Sequence, residues 1–349
     1  MRKVAMALVK PGEKLAKTIY GADGTVLLSA GIQLKERYIK RLKDFGIPYV
    51  YIEDSISEGI VVPDLVQETT RIESVRIMRE SLKNVQLNGK LTSKDLKQIK
   101  KIVNDIVDEI LYNKGVLIGL SDIRAVDEYT YGHSVNVCVM STVIGIALGY
   151  NQLRLRDLAL GAILHDVGKC KIPKELINKP GTLTKEEFEL IKTHPEEGFN
   201  IIRQHDEISS LVAHVAYQHH EHVDGTGYPR SLSGKDIHEF AKIVALTDVY
   251  DALVTDRPYR KGILPHEAAE IIMASSGTHL EEKIVTTFLR NIALYPNGSI
   301  VRLTTGQVGI VVDQNRGANS RPIVRIIDSE EEIDLTKHLN VLITEVIEI

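Results

Sequence analysis

The sequence predicts a mainly α protein: a long helical core with a small α+β module before it and a small β-module after it. Three observations carry that expectation. From about residue 115 to 292 apolar residues recur at helical spacing with hardly a break. Residues 1 to about 60 instead mix short alternating runs with glycine turns. After Pro296-Asn297-Gly298-Ser299 the periodicity changes to short strands.

In chain order, Tyr20 to Leu28 reads as strand, turn, strand, with Ala22-Asp23-Gly24 at the turn. Ile39, Leu42 and Phe45 at helical spacing precede Ile47-Pro48-Tyr49-Val50-Tyr51-Ile52, a strand. From Pro63 to Tyr112 the pattern is helical. Leu91-Thr92-Ser93 caps the run Ile99, Ile102, Val103, Ile106, Val107 and Ile110, a connector or dimerisation arm. Tyr129 to Leu153 carries no charge, but His133, Asn136, Ser141 and Thr142 interrupt it. Its apolar part falls short of the roughly 20 residues a bilayer span needs, which predicts a buried core helix. Thr184-Lys185-Glu186-Glu187 is a capping box. Ile208, Leu211, Val212, Val215 and Ala216 line one helix face that ends at His219. The strands expected at the end are Ile300–Leu303, Val308–Val312 and Ile323–Ile327. Four domains follow: 1–62, 63–114, 115–292 and 293–349.

A chain of 349 residues exceeds the usual size of one core. With 43 Lys and Arg against 47 Asp and Glu, the net charge of −4 gives no global attraction to nucleic acid or anionic membrane. Any phosphate-bearing ligand must be drawn by local charge and metal. Cys138 and Cys170, the two cysteines, argue for a reducing, cytoplasmic compartment without a disulfide framework.

The chemistry concentrates in His133, His165, Asp166, His194, His219, His220 and Asp248, at or near helix ends that an all-α core can gather. Five imidazoles and two carboxylates exceed what one metal ion needs and suit two. Asp166, with two oxygens beside His165, is the natural bridge. Asp248 lies in the otherwise apolar stretch Ile243 to Ala252, where an unpaired carboxylate would cost several kcal/mol. The loop Asp224-Gly225-Thr226-Gly227-Tyr228-Pro229 combines glycines that allow close backbone approach with an aromatic ring suited to a base. Lys169, Arg257 and Arg260 are placed to grip phosphoryl oxygens. Cys170 reads as a packing residue.

His165-Asp166-Val167-Gly168-Lys169 with Gly227-Tyr228-Pro229 resembles the HD-GYP branch of the HD phosphohydrolases. The likeness extends through Tyr129 to Ser134, Asn178-Lys179-Pro180-Gly181-Thr182-Leu183-Thr184, His194-Pro195 and Asp256-Arg257-Pro258-Tyr259-Arg260, about half of the chain. The resemblance implies an HD-type helical core holding divalent ions, iron or manganese foremost, with zinc or nickel also compatible. It assigns one ion to His133, His165, Asp166 and Asp248, and a second to Asp166, His194, His219 and His220. Tyr129 stands where some members carry a glutamate for a third ion, and Glu128 is out of register, so two ions are expected.

The activity implied is that of a bacterial phosphodiesterase. It would cut cyclic di-GMP to linear pGpG, and with a second cut to GMP, through a hydroxide bridging two metals. Asp166 and Lys169 are the expected catalytic residues. Lys169, Tyr228, Arg257 and Arg260 are the expected substrate contacts. The alternatives are hydrolysis of 3',3'-cyclic GMP-AMP, a non-catalytic cyclic-dinucleotide receptor, and the nucleotide hydrolysis of the wider HD superfamily. The partners expected are the cyclic dinucleotide, a second copy of the chain and a diguanylate cyclase, with no nucleic-acid polymer.

Overall fold

The computed structural model describes residues 1–347 other than 22–24, 48, 114, 118–128, 178, 180 and 256–261, with the backbone alone at 129 and 130. Two compact units emerge. One joins residues 1–64, 116–128 and 290–349; the other comprises 65–115 and 129–289.

In the first unit, β1 (Arg2–Ala5), β2 (Lys14–Leu15), β3 (Ile19–Tyr20), β4 (Val26–Leu28), α1 (Glu36–Asp44) and β5 (Tyr49–Glu53) make the N-terminal part. β5 runs between β1 and β2, antiparallel to both, while β3 and β4 pair separately. Alternate residues of β1 and β5 point inward, so Val4, Val50 and Ile52 pack on Ile39 and Leu42 of α1. Phe45 falls just past the end of α1 and is exposed. The C-terminal part is a five-stranded antiparallel sheet of β6 (Ile300–Leu303), β7 (Val308–Asp313), β8 (Ile323–Ile326), β9 (Glu332–Asp334) and β10 (Ile343–Ile347), in the order β10-β6-β7-β8-β9. Ile60, Ile300 and Ile310 bury together and join the two parts. At Gly298 the backbone has φ +83°, and a Cβ would lie 2.9 Å from the Met1 carbonyl. Glycine permits both the angle and the approach.

The second unit is helical: α2 (Glu68–Asn88), α3 (Ser93–Tyr112), α4 (Tyr129–Ala147), α5 (Gln152–Leu164), α6 (Lys174–Ile177), α7 (Lys185–Ile191), α8 (His194–Ile202), α9 (Ser210–Gln218), α10 (Glu239–Val254), α11 (Pro265–Ala274) and α12 (Glu282–Leu289). Together with the two β-containing parts this makes the protein mainly α, as its periodicity predicts. Thr92 and Asp95 close a capping box on α3, and Thr184 and Glu187 close one on α7. The six periodic apolar residues of α3, from Ile99 to Ile110, are all buried.

α4 is the uncharged helix. Its polar residues are satisfied inside the core: Asn136 Nδ2 donates to Asp251 at 2.9 Å, the Ser141 and Thr142 hydroxyls bond to Thr247 Oγ1 and the Cys138 carbonyl. Such partners remove most of the cost of burial. Among the described residues, no helix is long and apolar enough to cross a membrane. α4 packs on α5 and α10, and α9 packs on α5, α8 and α10. These five helices converge on one place.

Candidate metal centre

His165, His194 and His219 sit where a helix starts or stops, so each ring leaves the helix while its backbone stays held. His165 caps the end of α5, and Asp166 opens the 3-10 turn that follows it, Val167–Lys171. His194 is the first residue of α8, with Pro195 next, a position where its missing N–H costs no helix bond. His219 caps the end of α9, although that helix begins at Ser210, so Ile208 precedes it. His133 lies in α4 and Asp248 in α10.

The structure gathers all seven of these residues. Asp166 is 4% exposed and faces in two directions. Its Oδ2 lies 3.3 Å from His165 Nε2 and 3.9 Å from His133 Nε2, and its Oδ1 lies 3.4 Å from His194 Nε2 and 3.6 Å from His219 Nε2. Asp248 Oδ1 approaches His133 Nε2 at 3.1 Å. Three sets of donor atoms come within 4.8 Å of one another: Asp166, His194, His219 and His220; His133, His165 and Asp166; His165, His219 and Asp248.

The protonation pattern follows from the other ring nitrogens. Nδ1 of His165, His194 and His219 meets the carbonyls of Ala162, Ile191 and Ala216 at 2.7, 2.7 and 2.9 Å. His133 Nδ1 meets the Asp251 carboxylate at 2.7 Å. All four partners only accept, so each Nδ1 carries a proton, and the Nε2 atoms of His165, His194 and His219 turn a lone pair inward. His194 Nε2 and His219 Nε2 then stand 3.3 Å apart as two lone pairs, a repulsive contact unless a cation or proton lies between them. His165 Nε2 and Asp166 Oδ1 are buried with no hydrogen-bond partner among the described residues. A pocket of converging lone pairs around a carboxylate fits divalent metal, and the imidazole-carboxylate donor set suits transition ions.

The electrostatics agree. Burial alone would lift the Asp166 carboxyl, but the Lys169 ammonium and His165 hold it well below the usual carboxylate range. Asp248 is likewise held well below it by His133, against burial. Burial pulls His133 down, yet Asp248 and Asp251 override it and raise the imidazole to about 10. A proton therefore stays on its Nε2 in the metal-free protein and must leave when a metal takes that lone pair. Burial pushes His219 down to about 4 and His220 well below its ordinary value, so both stay neutral and ready to ligate.

Backbone contacts fix these elements closely. A Cβ at Gly168 would lie 2.0 Å from the His194 carbonyl oxygen and 2.5 Å from Gly198 N, so the turn behind Asp166 rests directly on α8. A side chain there would push α8 away and take His194 with it. At Gly227 a Cβ would meet His222 N at 2.3 Å, which lets the loop fold tightly back on the histidine pair. Tyr228 stacks on His220 with centroids 4.7 Å apart, and its N–H donates to the His220 carbonyl at 3.1 Å.

Lys169 stands on the 3-10 turn with Nζ 2.5 Å from Asp166 Oδ2, at the rim of the cluster. Cys170 donates to the Leu82 carbonyl at 3.4 Å, and burial pushes its thiol up to about 11, the environment of an inert packing thiol. Arg257, Arg260, Asn178, Pro180 and Glu128 lie outside the described residues, as does the Tyr129 side chain.

Two buried acids escaped the sequence reading. Asp251, fully buried, accepts from His133 Nδ1 and Asn136 Nδ2 and so orients a cluster ring. It follows Asp248 by three residues in the same apolar helix, so the burial cost that marks Asp248 applies to it equally. Glu221, also buried, accepts the backbone N–H groups of Arg230 and Leu232, both at 2.8 Å, and braces the 221–232 loop.

With this geometry in view, comparison with known proteins gives consistent results. Residues 120–284 match the HD domain, and residues 300–349 match the KOW domain associated with HD domain. Residues 120–284 carry an HD domain. The chain is 38% identical over 232 residues to a cyclic di-GMP phosphodiesterase of Pseudomonas aeruginosa, covering 65% of its own length and 55% of that relative. It is 33% identical over 230 residues to a cyclic di-GMP phosphodiesterase of Thermotoga maritima, covering 64% and 62%. It thus spans somewhat more than half the length of either. Among solved structures, an HDG"Y"P protein of Bdellovibrio bacteriovorus aligns over 82% of this chain and 97% of its own, with a TM-score of 0.55 and 22% identity, a likeness of fold.

Proposed function

We propose that this chain hydrolyses the phosphodiester bonds of cyclic di-GMP, giving linear pGpG and, on a second cut, GMP. The observation that carries the reading is Asp166 between two pairs of inward-facing imidazole Nε2 atoms, one pair on each carboxylate oxygen. His133, His165, Asp166 and Asp248 would hold one ion; His194, His219 and His220, with Asp166 shared, would hold the other. Iron and manganese suit these donors. When bound, such ions supply Lewis acidity that activates water and neutralises phosphoryl charge.

The chain's own residues do the rest. Buried backbone carbonyls and Asp251 hold His165, His194, His219 and His133 with Nε2 toward the cluster, so these four rings need not reorganise during reaction. Lys169 puts a fixed positive charge beside Asp166, in position for a non-bridging phosphate oxygen. Arg257 and Arg260 would clamp the phosphates by planar bidentate contacts. Tyr228 covers His220 from one side and restricts water there.

The test is product chromatography on protein loaded anaerobically with iron and, separately, with manganese. Cyclic di-GMP, 3',3'-cyclic GMP-AMP and pGpG are each supplied. Conversion of cyclic di-GMP to pGpG with at least one metal is expected. Cyclic di-GMP left intact by both forms contradicts the reading, and faster cleavage of the hybrid messenger reassigns the substrate.

A further inference from the structure

Outward from the cluster the site continues as a run of rings. One face of Tyr228 is covered by His220, their planes 24° apart. Tyr228 next meets Phe188 of α7 in an edge-on contact, centroids 6.4 Å apart and planes at 74°. The Lys192 ammonium stands 4.8 Å from the Phe188 centroid and 5.7 Å from that of Tyr228, and pairs with Glu189 at 2.7 Å. Phe188 is 43% exposed, whereas Phe240 and Phe288 are fully buried in the core.

The position of this ring is not loose. Glu187, beside it, closes the capping box with Thr184 and takes the Lys179 ammonium at 2.6 Å. At the other end of α7 the Ile191 carbonyl accepts from His194 Nδ1. The backbone that presents Phe188 therefore also orients a cluster imidazole. A single exposed apolar side chain is unremarkable by itself. An exposed ring on an anchored helix, in contact with the aromatic that covers the cluster and flanked by a cation, is a surface suited to a flat heterocycle.

We propose that Phe188 is the platform for one purine base of the ligand, with Lys192 beside it, while the phosphodiester occupies the cluster. This rests on the phosphodiesterase reading and adds which ring takes the base. Tyr228, already stacked on His220, acts as the wall between base and metal centre. Stacking on an aromatic ring accepts any base, so Phe188 senses the presence of a base more than its identity.

The test compares GMP with ribose 5-phosphate, which share a phosphate and differ by the base, by calorimetry on metal-loaded protein. The wild-type chain is expected to prefer GMP. Phe188→Ala and Phe188→Leu are each expected to shrink that preference by about 5- to 150-fold, the range of one base–aromatic stack. Phe188→Trp is expected to keep it, and metal content should stay equal in all four proteins. Phe188→Leu preserves apolar packing, so a merely structural ring would leave the preference intact in that variant and overturn the proposal. A wild-type chain without preference for GMP also overturns it. Turnover of cyclic di-GMP is measured alongside. Preference through Phe188 without turnover sinks the phosphodiesterase reading alone, and turnover without the Phe188 effect sinks this one alone.

Discussion

Replacing Asp166 with alanine is expected to lower turnover of cyclic di-GMP by about 1,000-fold or more, because the interactions lost amount to several kcal/mol of charge stabilisation in the transition state. Asp166 is the one cluster residue whose two oxygens face different imidazole pairs, His133 and His165 on one side, His194 and His219 on the other. Its removal would disturb both proposed metal positions at once, whereas loss of any single imidazole would disturb one. It also removes the carboxylate that the Lys169 ammonium meets at 2.5 Å. Asp166→Asn keeps the shape and drops the charge. It should fold with the same helical content yet hold less metal, which separates a coordination role from a packing role. Circular dichroism, metal content and initial rates on the two variants check this. An Asp166→Ala protein with wild-type turnover and metal content would be incompatible with a shared carboxylate.

The second large effect belongs to Asp251. Three cluster rings are oriented by backbone carbonyls, those of Ala162, Ile191 and Ala216, which no side-chain substitution removes. His133 depends on a side chain, the Asp251 carboxylate at 2.7 Å, which reaches from α10 to α4. Asp251→Ala leaves the His133 Nδ1–H and the Asn136 amide without this acceptor in the core, at about 1–3 kcal/mol for each unsatisfied group. It should also weaken metal binding on the His133 side by about 10- to 100-fold, the usual effect of losing a partner behind a ligating histidine. Asp251→Asn can still accept from His133 but turns its own amide toward Asn136, so an intermediate loss is expected. A calorimetric metal titration reads the result: the weaker ion drops out while the ion on His194, His219 and His220 stays. Equal weakening of both ions, or of neither, would remove Asp251 from this role.

The cluster was legible in the sequence because its members are expensive to bury for any other reason. His165-Asp166 and His219-His220 are adjacent pairs that follow apolar helical runs, and Asp248 is a carboxylate in an apolar helix. The helical core was legible from periodicity, and the polar residues of α4 marked it as a packed helix. Asp251 and Glu221 were not singled out because their partners are distant in sequence, Asn136 and His133 in one case and two loop N–H groups in the other. Nor does local patterning reveal that residues 1–64 and 290–349 share one unit, since Ile60, Ile300 and Ile310 carry no mark of mutual contact. Lys169 was foreseen near phosphate, but its ion pair with Asp166 depends on the 3-10 turn that replaces a continued helix after Leu164.

Crystals of the anaerobically purified, metal-loaded protein, measured at the absorption edge of the bound element, address the two-ion arrangement most directly. Two anomalous peaks are expected, one beside His133 and His165 Nε2 and one beside His194 and His219 Nε2, each in contact with a different oxygen of Asp166. A single peak, or two peaks that do not share Asp166, would contradict it.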